Sequence, residues 1–356
     1  MVSLKDVAEI AGVSIATASL AMNNKPQVAE ATRLRVQAVA EKLNYVHNAN
    51  ARNLVTGLSR TIGLVVTGVN VPYFAQIVDT IEQELASVDR NLILALSREE
   101  EEQELQALAD MRALRVNGII MASISGSPKT REILGIMQKQ GVAVSLIGRV
   151  YPDNEFDSVV VDHIGGSAQV VDHLWQQGHR RIGIILPPRR LPTFQDRLRG
   201  WRLRVQDLGG TPPDDNLVRY GKPEKLDAII DSYLGLRHPP TAIYATSDSL
   251  ALAAYKSLTK MGIRIPKDMA LVGMDNDDWT SALTPALSVL EQPVAEMARV
   301  ATQNLLRRLN GANDGEPWQL VLTPRLLVRE SSEEIAVERS EHYRSVSRSE
   351  SESLKR

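Results

Sequence analysis

The chain has 356 residues, 43% of them hydrophobic and 24% charged, which describes a globular protein too long for one compact core, so two or three domains are expected. It contains no cysteine, which excludes a disulfide framework and thiolate chemistry, and it has no apolar stretch long enough to span a membrane. The net charge of −2 conceals an asymmetry: residues 1–60 carry +3 and the remainder −5, which suits a head that meets phosphates and a body that does not.

Lys5, Asp6 and Glu9 occupy the place where a secretory signal needs an apolar run, so a cytoplasmic protein is expected. Leu4, Val7, Ala8 and Ala11 recur at the spacing of one helical face, and Ser3 with Asp6 forms a capping-box start. Gly12 permits a sharp reversal. Ser14 then caps a second helix whose inner face is Ala18, Ala21 and Met22, and small residues at Ala8 and Ala18 allow a close crossing. Two short helices joined this way make a helix-turn-helix, whose second helix enters the major groove of DNA, although an ordinary helical hairpin would share the pattern. Val36, Val39, Ala40 and Leu43 mark a third helix over residues 31–44, which completes a small bundle. An Asn- and Ala-rich connector follows, with Gly57 and Ser59 as a flexible exit.

From Thr61 the pattern becomes β-rich runs alternating with amphipathic stretches. Strands are predicted at Thr61–Thr67, Leu92–Leu96, Gly118–Ala122, Val142–Ile147, Ser158–Val161, Arg181–Leu186, Thr241–Thr246 and Met269–Met274. Helices are predicted, among others, at Phe74–Val88, Arg131–Gln140, Gly166–Gln177, Leu250–Met261 and Val294–Leu309, with Gly141, Gly178 and Gly262 closing three of them. This alternation implies two doubly wound α/β lobes, broken near Asp162. Residues 331–356, rich in Ser, Glu and Arg, read as a disordered tail without leucine heptads.

Head, connector and body together resemble the LacI/GalR family of bacterial transcription repressors over roughly residues 2–330. The resemblance rests on Asp6-Val7-Ala8, Ala11-Gly12-Val13-Ser14, Thr32-Arg33 and Ala51-Arg52-Asn53-Leu54. In the body it rests on Gly178-His179-Arg180-Arg181-Ile182, Ser247-Asp248, Val272-Gly273-Met274-Asp275 and Gln292-Pro293. It implies an all-α helix-turn-helix head over residues 1–47, a hinge helix and linker over 48–60, and a periplasmic-binding-protein-like body over 61–330. The first lobe would take about 61–161 plus 291–330 and the second about 162–290. The expected function is a dimeric DNA-binding regulator, a repressor, on a pseudo-palindromic operator, controlled by a small-molecule effector.

By this resemblance Thr17, Ser19 and Asn23 hold phosphates, Ile15, Ala16 and Leu20 fall at the base-reading positions, and Arg33 joins the DNA contacts. None of the three base-reading side chains can hydrogen-bond, so readout would run through apolar contacts such as thymine methyls, unless Ile15 and Leu20 simply pack within the head. Leu54 would wedge between base steps in the minor groove, Ala51 would let two hinge helices approach, and Arg52 and Asn53 would reach the backbone or groove edges. Ala29 stands where relatives often have a capping serine, and His47 where they often have proline.

Ligands of open α/β sheets sit beyond the carboxyl ends of the strands. Candidate effector contacts there are Tyr73, Phe74, Ser123, Arg149, Asp162, Arg197, Asp248, Asp275 and Trp279. Arginines, carboxylates and aromatic faces suit a sugar or sugar derivative, with a purine or nucleoside stacked on Tyr73, Phe74 and Trp279 as the alternative. Asn276 stands where many relatives have a second aspartate. For several of these residues a structural role competes: core packing for Phe74 and Trp201, a crossover role for Asp162, a helix-end role for His179.

Catalysis is not expected, nor is a cofactor or a metal. Gly126-Ser127-Pro128-Lys129-Thr130 lacks the glycine a P-loop needs before its lysine, and Asp275, Asp277 and Asp278 lack the glycine and glutamate of a calcium loop. A transport-type solute-binding protein would share the body but not residues 1–60.

Overall fold

The computed structural model describes residues 2–45, 60–122, 127–151, 153, 155–188, 191–209, 213–311 and 315–333. The chain divides into two compact units, Met1–Arg60 and Thr61–Arg356.

In the first unit three helices, α1 (Leu4–Ala11), α2 (Ile15–Met22) and α3 (Glu30–Lys42), enclose a core of small side chains. Both halves of the capping box are made at α1: the Asp6 N–H donates to Ser3 Oγ at 3.4 Å, and the Ser3 N–H donates to the Asp6 carboxylate at 2.8 Å. Those bonds favour the ionised acid and hold Asp6 below its usual value. Gly12 sits at φ 64°, a left-handed conformation that a side chain would strain, and its N–H donates back to the Ala8 and Glu9 carbonyls. Ser14 caps α2 by accepting from the Thr17 N–H at 3.0 Å. Ala8, Ala18, Ala21, Val36 and Ala40 are buried together, so the small residues do bring the helices close. α3 starts at Glu30, one residue before the predicted start, and Ala29 gives it no side-chain cap.

The second unit is built on two six-stranded sheets. The first runs β11-β5-β4-β3-β1-β2, with β1 (Thr61–Val66), β2 (Asn91–Leu96), β3 (Gly118–Met121), β4 (Ala143–Ile147), β5 (Asp157–Val161) and β11 (Gln319–Leu322), all parallel. The second runs β12-β10-β9-β8-β6-β7, with β6 (Ile182–Leu186), β7 (Val218–Tyr220), β8 (Ala242–Ala245), β9 (Ala270–Met274), β10 (Ser288–Glu291) and β12 (Arg325–Leu327). Only its β10–β12 pair is antiparallel.

Helices cover both faces, so the central strands are apolar without alternation, as in Thr61-Ile62-Gly63-Leu64-Val65-Val66. On the first sheet α4 (Pro72–Ala86) and the late helix Val294–Leu309 pack on one face, while α5 (Glu101–Ala113) and α6 (Pro128–Lys139) pack on the other. The second sheet carries α7 (His163–Gln176) and α8 (Pro192–Gly209) on one face and α9 (Leu226–Leu234) and α10 (Asp248–Lys260) on the other. A short α11 (Asp278–Ala282) precedes β10, and the late helix is α12. α7 and α8 cross at Gly200, where an added Cβ would overlap the Ile164 carbonyl.

Each of the eight predicted strands has its counterpart, whereas β7, β10, β11 and β12, of three or four residues, carry too short an apolar run to be seen in the sequence. Two boundaries need correcting. Arg325–Leu327, expected in the first lobe, pairs with β10 and so closes the second sheet. Ser331 and Ser332, expected in the disordered tail, are 0% exposed. Ser331 Oγ donates to the Leu271 carbonyl at 2.6 Å and accepts from the Ser288 N–H at 2.8 Å. Ser332 Oγ lies 2.7 Å from both Ser288 Oγ and His173 Nε2. A seryl hydroxyl can be buried without apolar area when its bonds are complete, which composition does not reveal. Residues 334–356 lie outside the described residues.

One carboxylate ties the end of the chain to the first sheet. Asp157, at the start of β5, accepts from Asn304 Nδ2 (2.7 Å), from Arg308 Nε and Nη2 (both 2.9 Å) and from the Trp318 N–H (2.8 Å). Removing the acid strands a buried guanidinium and an amide, so Asp157→Ala is expected to destabilise the second unit by about 3–5 kcal/mol. Arg202→Ala, which removes an exposed pair with Asp215, should cost less than about 1 kcal/mol. Urea unfolding of the two variants beside the parent measures both.

Candidate functional site

In the first unit the capped start of α2 turns Ile15, Ala16 and Leu20 outward while Ala18 and Ala21 fill the core behind them. Ile15 is 51% exposed and Leu20 39%, so the alternative in which they pack within the head is not what forms. The polar candidates are partly engaged within the unit. Thr17 Oγ1 lies 2.8 Å from Ser14 Oγ, and Asn23 Nδ2 donates to the Ser19 carbonyl at 2.7 Å. Arg33 Nη2 donates to the Val28 carbonyl at 3.1 Å, which pins the α2–α3 loop, so its first role is structural. Ala51, Arg52, Asn53 and Leu54 lie outside the described residues.

In the second unit a cavity of about 380 Å³ opens at the carboxyl ends of the strands, with walls from both lobes. Six of the nine predicted effector residues line it: Tyr73, Phe74, Arg149, Arg197, Asp248 and Asp275. Phe74 does so while also buried in the first-lobe core, and Trp201 is wholly core. Ser123 lies outside the described residues.

Asp162 and Trp279 are corrections, since neither lines the cavity. The Asp162 carboxylate accepts from the Gly165 N–H at 2.7 Å and so caps α7. Trp279 packs on the second-lobe core, and its Nε1 donates to Asp277 at 3.3 Å. Asn276 is also turned to structure: its Oδ1 accepts from Arg329 at 2.6 Å and its Nδ2 donates to Glu291 at 2.8 Å. His179 keeps its helix-end role through Nδ1, 2.8 Å from Thr241 Oγ1.

Residues not singled out as ligand contacts complete the walls, notably Glu99, His163, Thr193, Phe194, Lys222 and Gln292. Glu99 stands three residues past the end of β2, a position the predicted strand would have flagged, and Lys222 stands two past β7, whose three residues left no such signal.

The cavity's polar groups are held rigidly. Arg197 Nη1 donates to the Thr246 carbonyl at 2.6 Å, its Nε donates to His163 Nδ1 at 3.4 Å, and its guanidinium stands 5.3 Å from the Phe194 ring. Gln292 Nε2 donates to Asp275 Oδ1 at 2.7 Å. The Tyr73 and Phe74 rings meet edge-on at 5.0 Å, and an added Cβ at Gly148 would collide with the Tyr73 hydroxyl. Two of the wall carboxylates sit on left-handed backbone, Glu99 at φ 61° and Asp275 at φ 63°, a strain that persists only where the surroundings enforce it.

Burial sets the charges. Asp275 is half-open to the cavity but ringed by protein, and burial, with repulsion from Asp248 and Asp277, pushes it up to about 6 against the pull of Arg197 and Gln292. Burial lifts Tyr73 to about 12, with Asp275 adding to it. His163 is driven well below its usual value by burial and by the positive charges of Arg197 and Arg149, so its ring is neutral. Nδ1 accepts from Arg197, which places the ring proton on Nε2. The walls offer donors, acceptors and aromatic faces, which is the chemistry of recognition. Among the described residues no group of three or more His, Asp or Glu side chains is arranged to hold a metal.

Residues 3–48 match the family described as bacterial regulatory proteins, lacI family, and residues 171–332 match the periplasmic binding protein-like domain. The HTH-type transcriptional regulator GalR of Escherichia coli strain K12 is 31% identical over 344 residues, covering 96% of this chain and 99% of that protein. Among solved structures, the transcriptional regulator CelR–cellobiose complex is 30% identical with a TM-score of 0.69, covering 93% of this chain and 100% of that one. The lac repressor dimer bound to operator and the anti-inducer ONPF is 25% identical with a TM-score of 0.83, covering 93% and 99%.

The Asp275 shift carries a sign that can be measured. Folded Asp275 titrates near 6 and the unfolded group at 3.8, so it favours the fold at acid pH, and that contribution is lost as pH rises from about 4 through 6. Asp275→Asn is therefore expected to melt above the parent at about pH 7, with the advantage shrinking towards about pH 4. Melting curves across that range test it. A variant less stable than the parent at neutral pH would mean that the Arg197 and Gln292 contacts outweigh burial.

Proposed function

Because the chain belongs to the LacI family of bacterial regulatory proteins, we propose that it is a cytoplasmic repressor. It would bind a pseudo-palindromic operator as a homodimer, with a small polyhydroxylated effector in the cleft setting its grip. The observation that carries the reading is the outward face of α2. Ile15, Ala16 and Leu20 stand exposed on a helix whose opposite side is anchored in the core, as a groove-reading helix requires. Thr17, Ser19 and Asn23 on α2 and its cap, with Arg33 on α3, would hold phosphates, while the three apolar side chains select thymine methyls by shape. In the hinge, Leu54 would wedge between base steps, helped by Ala51, Arg52 and Asn53.

The cleft reads best as a sugar site. Asp275 and Gln292, Arg197, Asp248 and Thr193 pair hydroxyls in both directions, and Phe74 and Phe194 supply apolar faces. The complexed relative CelR holds cellobiose. The aromatic side chains on both walls also favour a second reading, a purine or nucleoside. Ligand binding would alter operator affinity only through its different affinities for the two arrangements of the dimer. The GalR relative is a transcriptional regulator, and recognition without catalysis suits the walls.

Selection from random duplex oligonucleotides with the full-length dimer is expected to yield a two-fold symmetric site whose affinity falls steeply with salt. Leu20→Arg should move the preference at one position of each half-site towards guanine, by about 1–3 kcal/mol. Leu54→Ala should weaken binding to that site by at least about tenfold while leaving nonspecific binding unchanged. An unselective parent dimer, with or without metabolite extract, would refute the DNA-binding reading. Thermal shifts with sugars and with nucleosides separate the two ligand readings.

A further inference from the structure

Two guanidinium groups approach one ring in the cleft without a charge shared between them. Arg149, past β4 in the first lobe, and Arg197, on α8 in the second, both act on His163, the residue that opens α7 just past β5. Arg197 spends Nη1 on the Thr246 carbonyl and Nε on the neutral imidazole, neither of which balances its charge. Asp275, whose carboxylate feels the charge of Arg197, is bonded to Gln292 through one oxygen and repelled by Asp248. The closest acid to Arg149 is Glu99, a loose pair with Nη2 3.8 Å from Oε1 and beyond hydrogen-bond range, while buried Glu104 acts on it through its charge. The other fork nitrogen of Arg149, Nη1, is buried without a hydrogen-bond partner, and burial, with Arg197 adding to it, pushes the group down from its usual value against the pull of Tyr73 and Glu104.

A buried donor left unpaired costs free energy, and two like charges from opposite walls raise that cost. A neutral hydroxyl would satisfy one N–H and leave the repulsion in place. A carboxylate or phosphate offers several acceptor oxygens at once and cancels charge, so it can take Arg149 Nη1 and face Arg197 in one group. The acids of the cavity remain for hydroxyl donors elsewhere on the ligand, Asp248 and Asp275 on the second wall and Glu99 on the first.

We propose that the cleft takes a polyhydroxylated ligand carrying one anionic group, a carboxylate or a phosphate, seated between Arg149 and Arg197 beside His163. This rests on the reading of the cleft as the effector site. The anion joins the two walls, since one arginine comes from each lobe.

Calorimetry on the full-length chain tests it with three matched series: glucose and galactose, glucuronate and galacturonate, glucose 6-phosphate and galactose 6-phosphate. At least one acid is expected to bind about tenfold or more tightly than its neutral parent sugar. The uronate and phosphate arms tell which oxyanion fits. Arg149→Gln should erase that ratio, and Arg149→Lys should restore part of it. Melting of the unliganded variants checks that the fold survives. A neutral sugar binding as tightly as its acids would overturn the anionic group while leaving the effector reading intact. A ratio unmoved by Arg149→Gln would overturn the assignment of Arg149. Binding by no acid of the series overturns the proposal, and operator selection by the same protein would still uphold the regulator.

Discussion

Parallel strand direction is the constraint from which the cleft follows. In a parallel sheet every strand delivers its carboxyl end to the same edge, and here the two lobes turn those edges towards one cavity. β1 leads to Tyr73 and Phe74, β2 to Glu99, β4 to Arg149 and β5 to His163. From the other lobe β6 leads to Arg197, β7 to Lys222, β8 to Asp248, β9 to Asp275 and β10 to Gln292. No single segment holds a ligand site, and the walls exist only once both sheets are in register. The edge strands β11 and β12 contribute no residue to the cavity.

The same arrangement gathers ionisable groups where solvent cannot fully reach them. Burial favours neutral Asp275, neutral His163 and a weakened Arg149 hold on its proton, so the cleft is a less comfortable place for charge than water. The left-handed backbone at Glu99 and Asp275 is a further cost carried at the same spot. Such sites bind tightly because their groups are already oriented and only partly satisfied, and a ligand repairs the deficit. The compensating stability lies elsewhere, in apolar cores on both faces of each sheet and in locks such as Asp157 with Arg308.

Much of this architecture was legible in the residues alone. Amphipathic spacing and cap chemistry located the head helices because those signals are local: Ser3 with Asp6, Gly12, Ser14. The long apolar strands declared themselves, and six of the nine residues expected to meet a ligand past the strand ends do line the cleft. What escaped was non-local. Asp162 at a strand-to-helix junction looks the same in sequence whether it meets a ligand or caps the helix, and Gly165 decides the matter. Trp279 was aromatic and close in sequence to Asp275, yet one short helix turns it onto the core. Glu99 lies just past a predicted strand but opens a run of acids, and the left-handed turn after β2 is what sets it apart from its neighbours.

The pairing of β5 with β11 and of β10 with β12 has a consequence for biosynthesis. Neither sheet is complete until the ribosome has delivered Gln319–Leu327, close to the end of the ordered body. Until α12 is made, the first sheet has only α4 over the face that carries Ile62, Ile120 and Val159, and until β11 is made it lacks its outer strand. The two lobes therefore close on one shared late segment, and neither sheet gains its last strand before nearly all strands of the other have been made.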